Sequence, residues 1–260
     1  MKICLVTLSP QGVKVLEKIR EKIPDVDCYV HEKVDVPSWA KQFARVVELT
    51  ERLFVEYEGL VYVAPCGAVT RAIAPLATDK KTDPAVVVVD VGGRHAISLL
   101  SGHEGGANDL ALQVANAIGA EPVITTTTEA AKSLIVGVGM RRGRPAANIV
   151  EAVTEALAEV KATPADARFL VSADIKHDEV GLIEAARMMN IPLRFIDGDE
   201  IRNSFRVFDH SDFVWKKVNL PAVAEPCALL AGRRTTLILK RKICNGVTVA
   251  VAKENCSSLE

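Results

Sequence analysis

Runs of apolar residues alternate with amphipathic segments through the first part of the chain. Short apolar runs bounded by turn residues predict buried strands, and apolar residues at helical spacing predict helices between them. In chain order we predict strand Ile3–Leu8, helix Gly12–Glu21, strand Asp27–Val30, helix Ser38–Arg52, strand Leu60–Ala64 and helix Ala68–Leu76. This alternation is typical of a parallel sheet covered by helices.

Two further strand-like runs, Ala85–Asp90 and Ala96–Leu100, follow closely on each other. The segment between them, Val91–His95, contains two glycines and is too short for a crossover helix, so we predict an antiparallel hairpin. A helix over Asn108–Ile118 and a strand over Glu121–Thr125 complete a first layered domain.

The same pattern starts again after Thr125–Ser133, a polar stretch that we interpret as a connector. The predicted elements are strand Leu134–Gly139, helix Ala146–Val160, strand Arg168–Ser172, helix Val180–Met189, strand Pro192–Phe195, helix Pro226–Ala231 and the strand pair Thr235–Leu239 and Val247–Ala252. The sequence therefore predicts two layered α/β domains, residues 1–130 and 131–260. Each is expected to be a mostly parallel mixed sheet flanked by helices.

Composition narrows the class of protein. Of the 260 residues 49% are hydrophobic and 5% aromatic, and 32 basic residues nearly balance 33 acidic ones. A general nucleic-acid binder needs basic excess and rings for stacking, so this class is disfavoured. The apolar run at the start of the chain is interrupted by Ser9 and Pro10, too early for a secretory signal, and no run reaches membrane-spanning length.

The six cysteines are scattered, with no C-x-x-C pair. This usage favours free thiols in a reducing compartment over a disulfide framework or a zinc site. We therefore expect a cytoplasmic protein that binds neither nucleic acid nor membranes.

The segment Ser101–Asp109, here called the glycine turn, joins a predicted strand to a predicted helix. Its glycines would let a ligand approach the backbone, and the following helix would offer its positive end to an anion. His103 and Glu104 would supply a proton donor and acceptor beside that anion. The alternative is a glycine-rich helix cap that carries a solvated histidine.

Two other turns of the first half carry polar residues. The cysteine turn, Ala64–Arg71, includes Gly67, Thr70 and Arg71 as ligand-binding candidates, and its Cys66 is more often a small buried residue than a nucleophile. The lysine loop, Thr78–Pro84, offers Lys80 and Lys81, although for this segment alone a solvated polar turn is the favoured explanation.

The arginine turn, Gly139–Pro145, places Arg141, Arg142 and Arg144 at the start of a predicted helix. Positive charges there oppose the helix dipole, so helix stability does not account for them. An anionic ligand would, because guanidinium groups bind carboxylates through paired hydrogen bonds. A solvated surface cluster is the alternative.

With these residues in view, the chain resembles the CbiG family, cobalt-precorrin-5A hydrolases of the anaerobic cobalamin pathway. In the first half the resemblance lies in Gly59–Val63, Ile73–Leu76, Asp83–Asp90, Gly92–Arg94, Ile97–His103, Gly105–Asn108 and Pro122–Thr126. In the second half it lies in Val136–Gly139, Arg141–Arg142, Gly181–Leu182, Ile191–Pro192, Ser211–Val214, Glu225–Pro226 and Gly246–Val249. The middle region usual in the family is missing between Thr126 and Leu134.

The resemblance implies a hydrolase that opens the ring A δ-lactone of cobalt-precorrin-5A and releases acetaldehyde, giving cobalt-precorrin-5B. His103, with Glu104, would activate the attacking water, and backbone N–H groups near Gly105 and Gly106 would hold the oxyanion. The substrate-binding set is Gly67, Thr70, Arg71, Lys80, Lys81, Arg94, Ser101, Gly102, Gly105, Gly106, Asn108, Arg141, Arg142 and Arg144. No cofactor is expected, because cobalt would arrive with the substrate.

Two other functions remain open at this stage. A non-catalytic tetrapyrrole carrier would use the same turns only to hold carboxylates. A cofactor-dependent group transferase would use the glycines for phosphate, but the chain contains no complete phosphate-binding motif. The sequence leaves open whether the protein forms a homodimer or contacts neighbouring enzymes of the pathway.

Overall fold

The computed structural model describes residues 1–258, so the last two residues of the predicted second domain, Leu259 and Glu260, lie outside the described residues. Contacts within the chain divide it into two units, Met1–Thr126 and a second that begins at Thr127. This division falls a few residues before the boundary that the sequence predicts. None of the helices within residues 1–258 is long and apolar enough to cross a membrane.

A seven-stranded sheet forms the centre of the first unit, in the order β3-β2-β1-β4-β5-β6-β7. Its strands are β1 (Ile3–Thr7), β2 (Asp27–His31), β3 (Lys41–Phe43), β4 (Gly59–Val63), β5 (Ala85–Val89), β6 (His95–Leu100) and β7 (Glu121–Val123). Strands β1 to β5 are parallel, β6 runs antiparallel to β5, and β7 is parallel to β6. The predicted hairpin is therefore confirmed.

Helices cover both faces of this sheet. They are α1 (Pro10–Lys22), α2 (Val46–Glu56), α3 (Cys66–Ile73) and α4 (Ala107–Ile118). Because side chains alternate along a strand, Leu5 of β1 joins the core under α1 and α4, whereas Cys4 and Val6 join the core under α2 and α3. Both faces are buried, which explains why the strands are continuous apolar runs.

The predicted helix Ser38–Arg52 is wrong at its start. Lys41–Phe43 instead forms β3, which pairs in parallel with β2 and extends the sheet edge. The ring of Phe43 is buried and lies edge-on to His31, with 5.4 Å between ring centroids. Sheet pairing and burial of this ring override the helical spacing, and the helix begins only at Val46.

A five-stranded sheet forms the centre of the second unit, in the order β10-β9-β8-β12-β11. Its strands are β8 (Leu134–Met140), β9 (Ala167–Ala173), β10 (Leu193–Ile196), β11 (Thr235–Cys244) and β12 (Val247–Glu254). Strands β8, β9 and β10 are parallel, and β12 is antiparallel to both β8 and β11. The predicted α/β class with mixed sheets is confirmed.

The helices of the second unit are α5 (Thr127–Ala130), α6 (Ala146–Glu159), α7 (Val180–Met189), α8 (Gly198–Arg202), α9 (Asp212–Val218) and α10 (Ala224–Leu230), with 3-10 turns at Pro164–Asp166 and Asp174–Lys176. Helices α6 and α7 pack together over one core, and α10 contacts the strands. Gly137 permits the α10 contact, since a Cβ there would lie 1.9 Å from the carbonyl oxygen of Ala224. The short helices α5, α8 and α9 have too few turns to show helical spacing in the sequence.

Strand direction decides where the candidate turns lie. Strands β4 and β5 end at the same edge, which carries the cysteine turn and the hairpin loop Val91–His95. Because β6 returns antiparallel, Leu100 pairs with Val86 near the start of β5, and the glycine turn follows at the opposite edge. In the second unit, the turns after β8, β9 and β10 lie at one carboxyl edge.

Candidate functional site

The candidate residues of the first unit fall into two groups at opposite edges of its sheet. A strand of this length separates the two edges by about 16 Å. The edge with the glycine turn carries Lys80, Lys81, Ser101, Gly102, His103, Glu104, Gly105, Gly106 and Asn108. The other edge carries Gly67, Thr70, Arg71 and Arg94. The structure therefore does not bring the whole predicted set together within this unit.

Close packing explains two glycines of the glycine turn. A Cβ on Gly105 would lie 2.4 Å from Cβ of Ser101 and 2.9 Å from its backbone oxygen. A Cβ on Gly102 would lie 2.7 Å from Cγ2 of Thr126. Gly106 has φ of 84° and occupies the N-cap of α4, a left-handed conformation that glycine adopts without strain.

Carbonyl groups of the turn also cap the first N–H groups of α4. The N–H of Ala107 donates to the oxygen of Ser101 at 3.1 Å, and the N–H of Asn108 donates to the oxygen of Gly102 at 2.9 Å. These two N–H groups of the first helical turn are thus occupied. Among the described residues, the N–H groups of Gly105 and Gly106 have no protein acceptor, so they are the donors that remain for an oxyanion.

The buried side chain of Asn108 links neighbouring segments by hydrogen bonds. Its Oδ1 accepts a hydrogen bond from Oγ of Ser98 at 2.9 Å, and its Nδ2 donates to Oγ1 of Thr126 at 2.9 Å. Both bonds lie away from solvent because the residue is 7% exposed. These two bonds give the Asn108 side chain a structural role in holding the turn in place.

His103 and Glu104 are exposed at the tip of the glycine turn. The carboxylate of Glu104 accepts a hydrogen bond from Nζ of Lys80 at 2.6 Å. This contact, helped by the backbone N–H of Glu104 itself, lowers the pKa of the Glu104 carboxyl, and the carboxylate raises the pKa of Lys80. A carboxylate stabilised in this way is a weaker base, so the contact with Lys80 weakens the case for Glu104 as the general base.

A buried carboxylate within the lysine loop closes the loop on itself. Asp83 accepts from the N–H groups of Thr78 and Asp79 at 2.9 and 3.1 Å. This closed loop positions Lys80 and Lys81 with both side chains exposed. The ammonium group of Lys80 reaches the glycine turn, where it is paired with Glu104.

At the opposite edge, the candidate arginines are used locally. Nη1 of Arg71 donates to the carbonyl oxygen of Gly67 at 2.8 Å, and Nε of Arg94 donates to Asp90 at 3.2 Å. Burial raises the pKa of Asp90, but hydrogen bonds from the hairpin loop outweigh it and hold the value below the ordinary one. Cys66, expected to be buried, is exposed at the first turn of α3, and Thr70 is exposed on the same helix.

In the second unit, Arg142 is anchored inside the arginine turn. Its guanidinium contacts the Asp178 carboxylate at 2.8 Å and donates to the carbonyl oxygen of Ile175 at 2.7 Å. Nearby, the N–H of Gly143 donates to the buried carboxylate of Glu179 at 2.7 Å. These contacts between the turns after β8 and β9 give Arg142 a structural role.

The other two arginines of the turn, Arg144 and Arg141, make different contacts from Arg142 and from each other. The guanidinium of Arg144 lies against Gly246, where a Cβ would come within 2.3 Å of its Nη2. The guanidinium of Arg141 lies over the ring of Phe213, 4.8 Å from its centroid. Arg141 is exposed, and within residues 1–258 no carboxylate pairs with it. Of the two arginines in this turn that no described carboxylate holds, Arg141 is the more exposed, so it is available to an anionic ligand.

Phe213 is a residue that the sequence reasoning did not select. It lies in Ser211–Val214, one of the segments that carry the family resemblance, and this was the available signal. The two aromatics of this short helix show no pattern that separates ligand contact from core packing. Among the described residues, no group of three His, Cys, Asp or Glu side chains is arranged to hold a metal ion.

Two family models match the chain. The model described as Cobalamin synthesis G N-terminal matches residues 48–129, and the model described as Cobalamin synthesis G C-terminus matches residues 134–252. The two matches cover parts of both units. Only Ala130 to Ser133 separate them, so the family segments adjoin almost directly in this chain.

Named relatives show the same relationship. The chain is 26% identical to Cobalt-precorrin-5A hydrolase of Priestia megaterium, with 95% of this chain and 94% of the relative covered. It is 39% identical to the protein of that name in Salmonella typhimurium, over 49% of this chain and 36% of the relative. The crystal structure of CobE, a protein from the cobalamin biosynthetic pathway, covers 47% of this chain and 91% of its own at 27% identity, with a TM-score of 0.44.

Proposed function

Because the chain belongs to the cobalamin synthesis G (CbiG) family, we propose that it is a cobalt-precorrin-5A hydrolase that opens the ring A δ-lactone and releases acetaldehyde. One observation carries the proposal. The Priestia megaterium relative that bears this name aligns along nearly its whole length with nearly the whole of this chain. The product would be cobalt-precorrin-5B, and the role lies in cobalamin biosynthesis.

We assign the general base to His103. Its imidazole is exposed at the tip of a turn whose backbone is fixed by packing, so it can meet a large substrate without rearrangement. Glu104, the other candidate, is paired with Lys80, and the lowered pKa of its carboxyl reduces its basicity. In this proposal His103 takes a proton from water as the water oxygen attacks the lactone carbonyl.

The glycine turn also supplies donors for the negative charge that forms on the carbonyl oxygen. The N–H groups of Gly105 and Gly106 are unoccupied among the described residues, whereas those of Ala107 and Asn108 are used within the turn. Backbone donors fixed before the reaction stabilise such a charge without reorganising. Lys81, exposed on the adjacent lysine loop, adds positive charge for a peripheral carboxylate of the substrate.

The cobalt belongs to the substrate in this proposal, and the protein needs no cofactor of its own for the hydrolysis. We also propose a cytoplasmic location. All six cysteines are free thiols, and Cys4, Cys28 and Cys227 are buried, as expected in a reducing compartment.

The test is anaerobic incubation of the purified protein with cobalt-precorrin-5A, with acetaldehyde and corrinoid products measured by mass spectrometry. His103→Ala should bind the corrinoid but release acetaldehyde at least about a hundredfold more slowly, the usual effect of losing a general base. His95→Ala is the matched control, because His95 is also exposed but lies at the opposite edge of the same sheet. Wild-type turnover by His103→Ala would remove the assignment.

A carrier function is the second candidate, and one observation favours it. The alignment with the Priestia megaterium protein extends over 351 positions, more than the 260 residues of this chain, so the relative contains residues that this chain lacks. A shortened protein could retain binding and lose turnover. Corrinoid binding without any acetaldehyde from the wild-type protein would establish this alternative.

A further inference from the structure

Helix α9 of the second unit exposes two large aromatic side chains to solvent. None of its residues, Asp212–Val218, is buried. Phe213 is 50% exposed and Trp215 is 46% exposed. Helices on protein surfaces normally bury an apolar stripe against the core, and exposed contiguous apolar groups mark interaction sites.

Local hydrogen bonds hold this helix in place. Oγ of Ser211 caps it by accepting from the N–H of Val214 at 3.5 Å, and the N–H of Ser211 donates to the oxygen of Pro221 at 2.8 Å. Asn219 ends it in a left-handed conformation with φ of 54°. The segment is therefore a helix-containing loop with its ends joined by a hydrogen bond, and its side chains face outward.

One face of α9 combines an aromatic ring with positive charge. Lys216 and Lys217 follow Phe213 by three and four positions, so all three share a face of the helix. Arg141, from the arginine turn, lies over the same ring. We call Arg141, Phe213, Lys216 and Lys217 the aromatic–cation patch.

The cations of the patch are not neutralised by the protein. Within residues 1–258, Arg141, Lys216 and Lys217 have no carboxylate at ion-pair distance. The adjacent Arg142 shows the contrast, because Asp178 holds it in a salt bridge. The patch therefore presents three cations outside any described ion pair beside a half-exposed ring, and Asp212 of the same helix lies 3.3 Å from His210.

We propose that the aromatic–cation patch binds the edge of the corrinoid macrocycle, with its apolar ring system against Phe213 and its peripheral carboxylates on Arg141, Lys216 and Lys217. This inference rests on the proposed function and names a binding surface for the same substrate. A flat apolar body fringed by carboxylates matches a ring surrounded by free cations in both shape and charge. A guanidinium that already lies over an aromatic ring is suited to both contacts.

The experiment measures binding of cobyrinic acid, a stable corrinoid with free carboxylates, by isothermal titration calorimetry. Arg141→Gln and Phe213→Ser should each raise the Kd by about tenfold, and the Lys216→Gln/Lys217→Gln double variant by a similar factor. Dicyanocobinamide, whose side chains are amidated, should bind more weakly to the wild-type protein and respond little to the charge variants. Higher salt should weaken cobyrinic acid binding, because the contacts are exposed.

Matched controls lie side by side on α7, where Arg187→Gln removes an exposed charge and Met188→Ser an exposed apolar side chain. Both should leave the Kd within about twofold, as expected for surface changes outside a binding site. Equal effects of patch and control variants would overturn the proposal. So would a loss of dimer mass in Phe213→Ser by sedimentation with unchanged Kd, because a second copy of the chain would then cover the patch.

Different results would overturn the aromatic–cation patch and the hydrolase function. Acetaldehyde release by the wild-type protein together with an unchanged KM in Phe213→Ser and Arg141→Gln would overturn the patch and leave the hydrolase. Carboxylate-dependent binding that is lost in the patch variants, without acetaldehyde from the wild-type protein, would support the patch and remove the hydrolase.

Discussion

The glycine turn of the first unit and the arginine turn of the second unit share one sequence pattern. Each joins a strand to a helix and carries residues with functional potential. In the glycine turn, packing uses the small residues, and His103 is left exposed. In the arginine turn, ion pairing uses Arg142, and Arg141 is left without a carboxylate. The functional candidates in each turn are the residues that the fold does not require.

The two turns also differ in how they are held. Atom-to-atom contact and partly buried hydrogen bonds of Asn108 fix the glycine turn. The arginine turn is held by the exposed ion pair of Arg142 and by the hydrogen bond from the N–H of Gly143 to Glu179. Steric conflicts and buried unpaired groups cost far more than exposed ion pairs. Substitutions in the two turns should therefore have effects of different size.

Gly105→Ala should have the largest effect on stability. Its Cβ would collide with the side chain and backbone of Ser101, so the turn must shift, at a cost of about 3 kcal/mol. Gly143→Ala in the arginine turn is the control, because φ there is 75° but no atom lies within 4 Å of the added Cβ. It should cost only about 1 kcal/mol. Urea unfolding measures both, and equal losses would show that contact does not fix the glycine turn.

Asn108→Ala should come next, with a loss of about 2 kcal/mol. The change leaves the partly buried hydroxyl groups of Ser98 and Thr126 without their partner. Asn148→Ala in α6 is a suitable comparison, since its side chain makes no hydrogen bond within residues 1–258. A loss no greater than that of Asn148→Ala, again in urea, would mean that Asn108 is free for substrate.

The ion pair of Lys80 and Glu104 should give a smaller, pH-dependent effect. The pKa of Glu104 lies below its ordinary 4.5, so its contribution to stability is complete above that value and is lost as pH falls through the lowered pKa. The pKa of Lys80 lies above its ordinary 10.5, so the contribution persists to that pH and is lost as pH rises through the raised pKa.

Lys80→Gln should therefore raise the pKa of Glu104 toward 4.5, as measured by carboxyl-carbon NMR titration. The stability difference from wild type should be present at neutral pH and vanish in acid. An unchanged titration of Glu104 would show that the pair does not form in solution, and Glu104 would regain its place as a candidate base.

The smallest effect should separate the two neighbouring arginines. Arg142→Gln removes an exposed ion pair and one hydrogen bond to a carbonyl group, so it should lower the thermal midpoint slightly. Arg141→Gln should leave the midpoint unchanged, because its contact is with the half-exposed ring of Phe213. The reverse order would show that Arg141 is the structural arginine of the turn.

Particular elements show how far the sequence could be interpreted. The antiparallel hairpin was predictable because a short glycine-containing connection allows no crossover. That same prediction implies that the chain after β6 emerges at the edge where β5 begins. The separation of Gly67 and Arg94 from His103 could therefore have been predicted from the sequence. Strand β3 had none, because three residues are too few to show a period.

The pairing of side chains could not be derived in this way. Lys80 and Glu104 are 24 positions apart, and Arg142 and Asp178 are 36 positions apart. Contacts at such separations depend on which strands are neighbours and on how each loop folds over them. The availability of Arg141 and the basicity of Glu104 both follow from these contacts.

The sequence by itself determined the alternation of strands and helices, the hairpin and the family, because burial periodicity and local motifs are properties of short segments. Tertiary structure decided the sheet order, the contacts between distant turns, and the side chains left unpaired. The physical reason is that hydrogen bonding between strands and the contacts between distant turns are set by spatial neighbours, and no local pattern along the chain encodes them.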